Sequence, residues 1–362
     1  MELIKPKKLE KGDTVALITL SWAGASVCKD RYLIGKKQLA ETFELNVVET
    51  PNALKDEDYI YNNPKERLND LIWAFKNPDI KAIFTIIGGD DSVRMLQHLK
   101  DEYFEIIKKN PKIFVGFSDT TITNFILLKA GLISFYGPTV LFGFAENGGI
   151  DNYTKEYFKK ALFQKEPIGM IENSKDGWIL DKVPWKKEFE NHIRKRQEFI
   201  DYKFIQGQGH INGNLIGGCI DVLEFIKGTK IWPCLEFWKN KVLFIETSED
   251  KPSRDLFISW LRNYGAQGIL NKLSGIIMGI PGGDIDYNDP DYKNKLNYQM
   301  KLFQEYEGAL IQVCKEFNRE DLIVATQLNI GHTMPMLTIP LGCGIELDAD
   351  NKRINIIENG VE

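Results

Sequence analysis

Ser118 is the residue in this sequence best placed to act as a nucleophile. The segment Lys112–Thr120, KIFVGFSDT, runs an apolar strand into Gly116-Phe117-Ser118-Asp119 and then directly into a helical run. A corner of that kind projects a hydroxyl from a tight turn. It also sets the hydroxyl at a helix N-terminus, where backbone N–H groups steady negative charge. The match to the hydrolase nucleophile elbow is partial, because Gly116 is in place but Thr120 stands where the second glycine belongs. The competing reading is that Ser118 or Asp119 simply caps the helix.

A nucleophilic serine needs an oxyanion site, a base and an acid. Gly88-Gly89 closes a second apolar strand, with Asp90-Asp91-Ser92 opening the next element. Two glycines there let the backbone approach a substrate, and the N–H groups of Gly89 and Asp119 could hold an oxyanion. An ordinary turn capped by Asp or Ser is the plain alternative. The chain has four histidines. His98 falls on an expected helix and His192 in a charged run. His332 (NIGHT) and His210 (GQGH) lie in polar, glycine-containing loops, and His332 is the preferred base. Glu246 ends the apolar strand LFIE, where a carboxylate can be buried yet face a site rim and orient an imidazole. Glu249 and Asp250 follow in the same loop. A structural salt bridge is the alternative for Glu246.

These residues need a scaffold that brings distant parts of the chain together. Strands are expected at 14–20, 45–49, 82–87 and 113–116, with helices over 32–43, 64–75, 92–99 and 120–129 between them. Strands alternating with helices imply a parallel sheet with its sites beyond the strands' carboxyl ends. Residues 155–203 are charged, aromatic and weakly periodic, and read as an excursion. Beyond it, a glycine-dense stretch at 211–220 leads into a helix at 221–226, and strands at 241–245, 273–280, 323–325, 338–340 and 344–347 accompany helices at 254–264 and 301–317. The expected division is an N-terminal domain over 1–170, a connecting and specificity segment over 171–205, and a C-terminal domain over 206–362.

Composition narrows the class. Hydrophobic residues at 43% and charged residues at 27% exclude a disordered chain. A net charge of −5 argues against a polymer-binding protein that neutralises phosphates. No apolar run is long enough for a membrane span, and the charged start lacks a signal-peptide core. The five cysteines are odd in number and lack metal-hairpin spacing, so free thiols in the cytoplasm are expected. No HExxH or paired histidines call for a metal, and no cofactor is expected.

Four ordered motifs, IGGDDS at 87–92, GFSDTT at 116–121, LFIETSED at 243–250 and IGHT at 330–333, together resemble the LD-carboxypeptidase family of serine peptidases. Within it the likeness is to the microcin C immunity, or MccF-like, branch. The resemblance implies a Rossmann-like parallel-sheet N-terminal domain and a mixed α/β C-terminal domain with a small β-barrel-like core. It implies a homodimer and a Ser118–Glu246–His332 triad, with Gly89 and Asp119 at the oxyanion. Gly88, Asp90, Glu249, Trp178 and Trp185 are the expected substrate-binding residues. An aromatic in the middle segment would stack on a nucleobase, against the alternative that both tryptophans serve the domain interface. The implied substrate is an aminoacyl-nucleotide of the microcin C type, with a murein tetrapeptide as alternative. A different hydrolase and a non-catalytic small-ligand binder are the rival classes.

Overall fold

The computed structural model describes residues 3–362. The chain forms two sheets, and together they make a two-domain α/β fold. The first sheet contains β1 (Thr14–Ile18), β2 (Asn46–Glu49), β3 (Ile80–Thr85), β4 (Ile113–Gly116) and β5 (Ser134–Tyr136). The second contains β6 (Gly169–Met170), β7 (Lys203–Gln206), β8 (His210–Cys219), β9 (Lys241–Glu246), β10 (Gly275–Gly279) and β11 (Ile323–Leu328). The chain then returns to the first sheet with β12 (Ile339–Leu341) and closes the second with β13 (Gly344–Asp348) and β14 (Arg353–Ile356).

The first sheet has the order β12-β5-β4-β3-β1-β2 and is parallel except for β12, which pairs antiparallel with β5. Its strands read as continuous apolar runs, TVALI and IFVG, because helices cover both faces. The second sheet has the order β6-β14-β13-β8-β9-β10-β11-β7. Its centre, β8 to β11, is parallel, and antiparallel strands flank it. The sheets therefore exchange strands: β6 lies early in the chain and β12 late.

The helix that follows Ser118, Thr121–Ala130, carries almost no polar face (TITNFILLKA), and nine of its ten residues are buried. A helix apolar all round must be covered on all sides. Here Ile122, Phe125 and Ile126 share one core with Ile216, Ile220 and Leu223 from the second half. The backbones also come close at this seam, where Cys219 N–H donates to Thr121 Oγ1 at 3.2 Å.

Most expected elements are present within a few residues, and three differences have local causes. Asn152–Leu162 is a helix capped by Asp151, inside the stretch expected to be irregular. Its buried stripe of Thr154, Tyr157, Phe158 and Ala161 is masked in the sequence by four intervening charges. Ser92–His98 is a 3₁₀ helix rather than an α-helix. The helix expected from 301 begins at Tyr292, because its first turns are solvated and lack an apolar signal. No helix among the described residues is long and apolar enough to cross a membrane.

Candidate active site

Ser118 stands at the carboxyl end of β4 with φ of 60°, a left-handed conformation that a non-glycine residue adopts at a cost of about 1–2 kcal/mol. The turn is braced around it. Thr120 Oγ1 donates to the Phe117 carbonyl at 2.7 Å, and a side chain at Gly116 would collide with that hydroxyl. Thr120 therefore braces the turn from the position where the elbow pattern has a glycine.

His332 lies in the loop between β11 and β12. Its Nε2 is 2.9 Å from Ser118 Oγ, and its Nδ1 is 2.6 Å from Glu246 Oε2. In the neutral ring the carboxylate holds the single proton on Nδ1, which leaves Nε2 to accept from the serine hydroxyl. Glu246 is wholly buried at the end of β9. Only glycine fits beside this pair, because a Cβ on Gly331 (φ 98°) would enter the Glu246 carboxylate. The loop is held from the 171–205 excursion. Ser174 N–H donates to Asn329 Oδ1 at 2.8 Å, Asn329 N–H donates to Asn173 Oδ1 at 3.1 Å, and Ile179 N–H donates to the Met334 carbonyl at 2.6 Å.

Sequence reasoning missed Tyr136, at the end of β5. Its buried hydroxyl donates to Glu246 Oε1 and accepts the Ser118 backbone N–H at 3.1 Å. One phenol thus ties the carboxylate to the serine turn. Burial first, then the Glu246 charge, pushes the phenol far above its ordinary value, so it stays a donor. The only signal was the short run SFY, too brief to mark a strand. Tyr136→Phe removes a hydrogen bond to a charged group, worth about 1.5–3 kcal/mol. We expect kcat to fall about ten- to a hundredfold with KM unchanged. Steady-state kinetics check this, and an unchanged kcat would exclude a positioning role.

Burial alone would lower the His332 imidazole. The charge and hydrogen bond of Glu246, with Glu249 and Asp221, outweigh it and hold the ring up at about 9. At neutral pH the resting ring therefore carries a second proton and cannot accept from Ser118. Accordingly kcat/KM is expected to climb with pH through about 9. Glu249 Oε2 is 3.4 Å from His332 Nε2, so Glu249→Gln should move that limb to lower pH. A profile flat above neutrality, or unmoved by the substitution, would contradict this.

The other expected site residues separate into two groups. Gly88 lies against the serine: a Cβ there would stand 2.9 Å from Ser118 Cβ and 3.2 Å from Asp119 N. Gly89 has φ of 148° and packs on Ser21 and Trp22. Asp119 is buried, and its carboxylate accepts Ser92 N–H at 2.9 Å, which locks the two strand-end turns together. Asp90 and Glu249 are exposed. Burial and then the charges of Asp250, Glu249 and Asp91 raise the Asp90 carboxyl. Trp178 requires a correction. It is buried against Phe303 in a small core with Leu180 and Ile285, so it offers no face to a ligand. Trp185 is half-exposed, with the Arg31 guanidinium 4.6 Å from its ring centre. His210 and His192 are exposed, and neither contacts Ser118.

Two α/β domains that bring a strand-end serine, an imidazole and a buried carboxylate into one hydrogen-bonded line define a serine hydrolase. Residues 15–137 match the LD-carboxypeptidase N-terminal domain, and residues 212–347 match the LD-carboxypeptidase C-terminal domain. This chain belongs to the LD-carboxypeptidase family of serine peptidases, in its MccF-like branch. It is 30% identical to the microcin C7 self-immunity protein MccF of Escherichia coli, over 97% of this chain and 94% of that protein. Microcin C7 self-immunity protein MccF in complex with aspartyl sulfamoyl adenosine superposes with a TM-score of 0.83 at 28% identity, covering 99% of this chain and 100% of that one. An MccF-like protein from Streptococcus pneumoniae in complex with AMP gives 0.81 at 27% identity, covering 95% and 98%.

Proposed function

We propose that this protein hydrolyses the amide joining an aminoacyl group to a nucleotide-like moiety, as in antibiotics of the microcin C type, and so detoxifies them. The observation that carries this reading is the line Ser118 Oγ–His332–Glu246, in a chain coextensive with relatives solved around such ligands. In this reading His332 Nε2 takes the Ser118 proton and the alkoxide attacks the amide carbonyl. The backbone N–H groups of Gly89 and Asp119 hold the oxyanion, each worth about 3 kcal/mol by analogy with other serine hydrolases. His332 then protonates the leaving nitrogen and activates the water that clears the acyl-enzyme. Glu246 keeps the ring in its productive tautomer.

Trp185 is the surface for the base, since Arg31 backs one face of its ring and leaves the indole stiffened for stacking. Gly88, Asp90 and Glu249 line the aminoacyl side. Release of a terminal D-amino acid from murein tetrapeptides is the second reading, favoured by the family models' own description. The first layer is in this proposal Rossmann-like, supported by its parallel strands, and the small barrel-like core of the second domain rests on the family resemblance. It keeps the division at 1–170, 171–205 and 206–362, and a cytoplasmic homodimer, supported by five free cysteines and by the family resemblance.

The test is a panel of an aminoacyl sulfamoyl adenosine, an LD-tetrapeptide and a DD control. Turnover of the first alone, with KM raised in Trp185→Ala, is the expected result. Turnover of the LD-tetrapeptide alone, indifferent to Trp185, would replace this reading with the second.

A further inference from the structure

We propose that Cys219, Glu246 and His332 form a latent site for a thiophilic divalent cation, Zn²⁺ or Cd²⁺, whose occupation switches the hydrolase off. The switching half rests on the triad reading above. Cys219 ends β8 directly opposite Glu246 in the parallel register of β8 and β9. One donor atom from each of the three residues lies within 4.8 Å of the others. Thiolate, imidazole and carboxylate are the donors that zinc takes, at about 2.3, 2.0–2.1 and 2.0–2.2 Å respectively. To close on one ion the 2.6 Å Nδ1–Oε2 contact must open and the thiol swing towards it. The same set suits Mg²⁺ poorly, because that ion prefers oxygen ligands and retains water.

Cys219 and Glu246 are buried, and the surroundings supply negative charge near the imidazole and a proton acceptor. Glu249 is exposed and sits 3.4 Å from His332 Nε2, with Asp90 and Asp250 at the same mouth. A mouth of one sign concentrates cations. The Cys219 thiol already donates to Asp221 Oδ2 at 3.3 Å, so its proton has an acceptor on the way to solvent.

Binding forms bonds from the metal to Cys219 Sγ, Glu246 and His332 Nδ1, with no oxidation or reduction. From the doubly protonated resting ring, the Nδ1 proton and the thiol proton leave to solvent and the Nε2 proton stays. Nε2 then carries a hydrogen and cannot accept from Ser118. The ion therefore disables the base without touching the serine.

The experiment titrates CdCl₂ into the full chain carrying Cys28→Ser and Cys234→Ser, which removes the two thiols that are not buried. The readouts are the ultraviolet thiolate-to-cadmium band and, separately, hydrolysis with ZnCl₂, MgCl₂ and chelator. One cadmium per chain, inhibition by Zn²⁺ reversed by chelator, and indifference to Mg²⁺ are expected. Adding Cys219→Ser should weaken metal affinity by at least about tenfold and abolish the band. A band and inhibition that survive Cys219→Ser, or no band in excess cadmium, would overturn the site. Cys219-dependent binding without inhibition would uphold the site and overturn the triad reading instead.

Discussion

Ser118→Ala is expected to lower kcat by roughly a millionfold, the loss seen when a triad serine is removed from other hydrolases. Its effect on stability should be small. Alanine meets the same left-handed strain at φ 60° that serine meets, and only the 2.9 Å bond to His332 is lost. The turn itself is held by Thr120, Phe117 and the Tyr136 hydroxyl, none of which the substitution touches. Circular dichroism and Tm should therefore match the parent while single-turnover kinetics collapse. Turnover within about a hundredfold of the parent would exclude Ser118 as nucleophile.

Glu246→Gln should cost about 10⁴-fold in kcat by imposing the wrong tautomer. The reason lies in Tyr136. Its hydroxyl donates to Glu246 Oε1, so the glutamine must keep its carbonyl oxygen on that side. The amide NH₂ then faces His332 Nδ1, which has to become an acceptor. The ring proton moves to Nε2, and the Ser118 hydroxyl loses its base. In Glu246→Gln with Tyr136→Phe, the amide is free to turn its oxygen towards Nδ1 and restore the productive tautomer. The double variant should be more active than Glu246→Gln alone, a non-additivity that a purely structural role for Tyr136 would not give. A strictly additive loss would sink this account.

The triad was legible because each member closes an apolar strand or sits in a glycine-flanked loop, both of which are local signals. β1, β3, β4 and β9 were legible for the same reason, since buried parallel strands are written as apolar runs, whereas the polar, glycine-rich β8 (HINGNLIGGC) was not. Tyr136 and the pairing of β12 with β5 were not legible, because each depends on a partner more than a hundred residues away. Trp178 misled for a related reason. Its surroundings in the sequence are charged, but its core partners come from near Ile285 and Phe303. The sequence favoured Glu246 over Glu249 because it closes an apolar strand, but did not show which ring nitrogen either would meet. In the fold one faces Nδ1 and the other Nε2, and that difference arises only from the loop's path.

The return of β12 to the first sheet has a consequence for how the enzyme comes off the ribosome. Ile339 pairs with Tyr136, so β5 is an open edge until the ribosome has added some two hundred further residues. At ordinary elongation rates that wait lasts on the order of ten to forty seconds. His332 emerges only just before the strand that closes the sheet. Ser118 is thus synthesised long before the imidazole that it meets in the folded chain. Completion of the Ser118–His332 contact therefore nearly coincides with the sealing of the exposed edge.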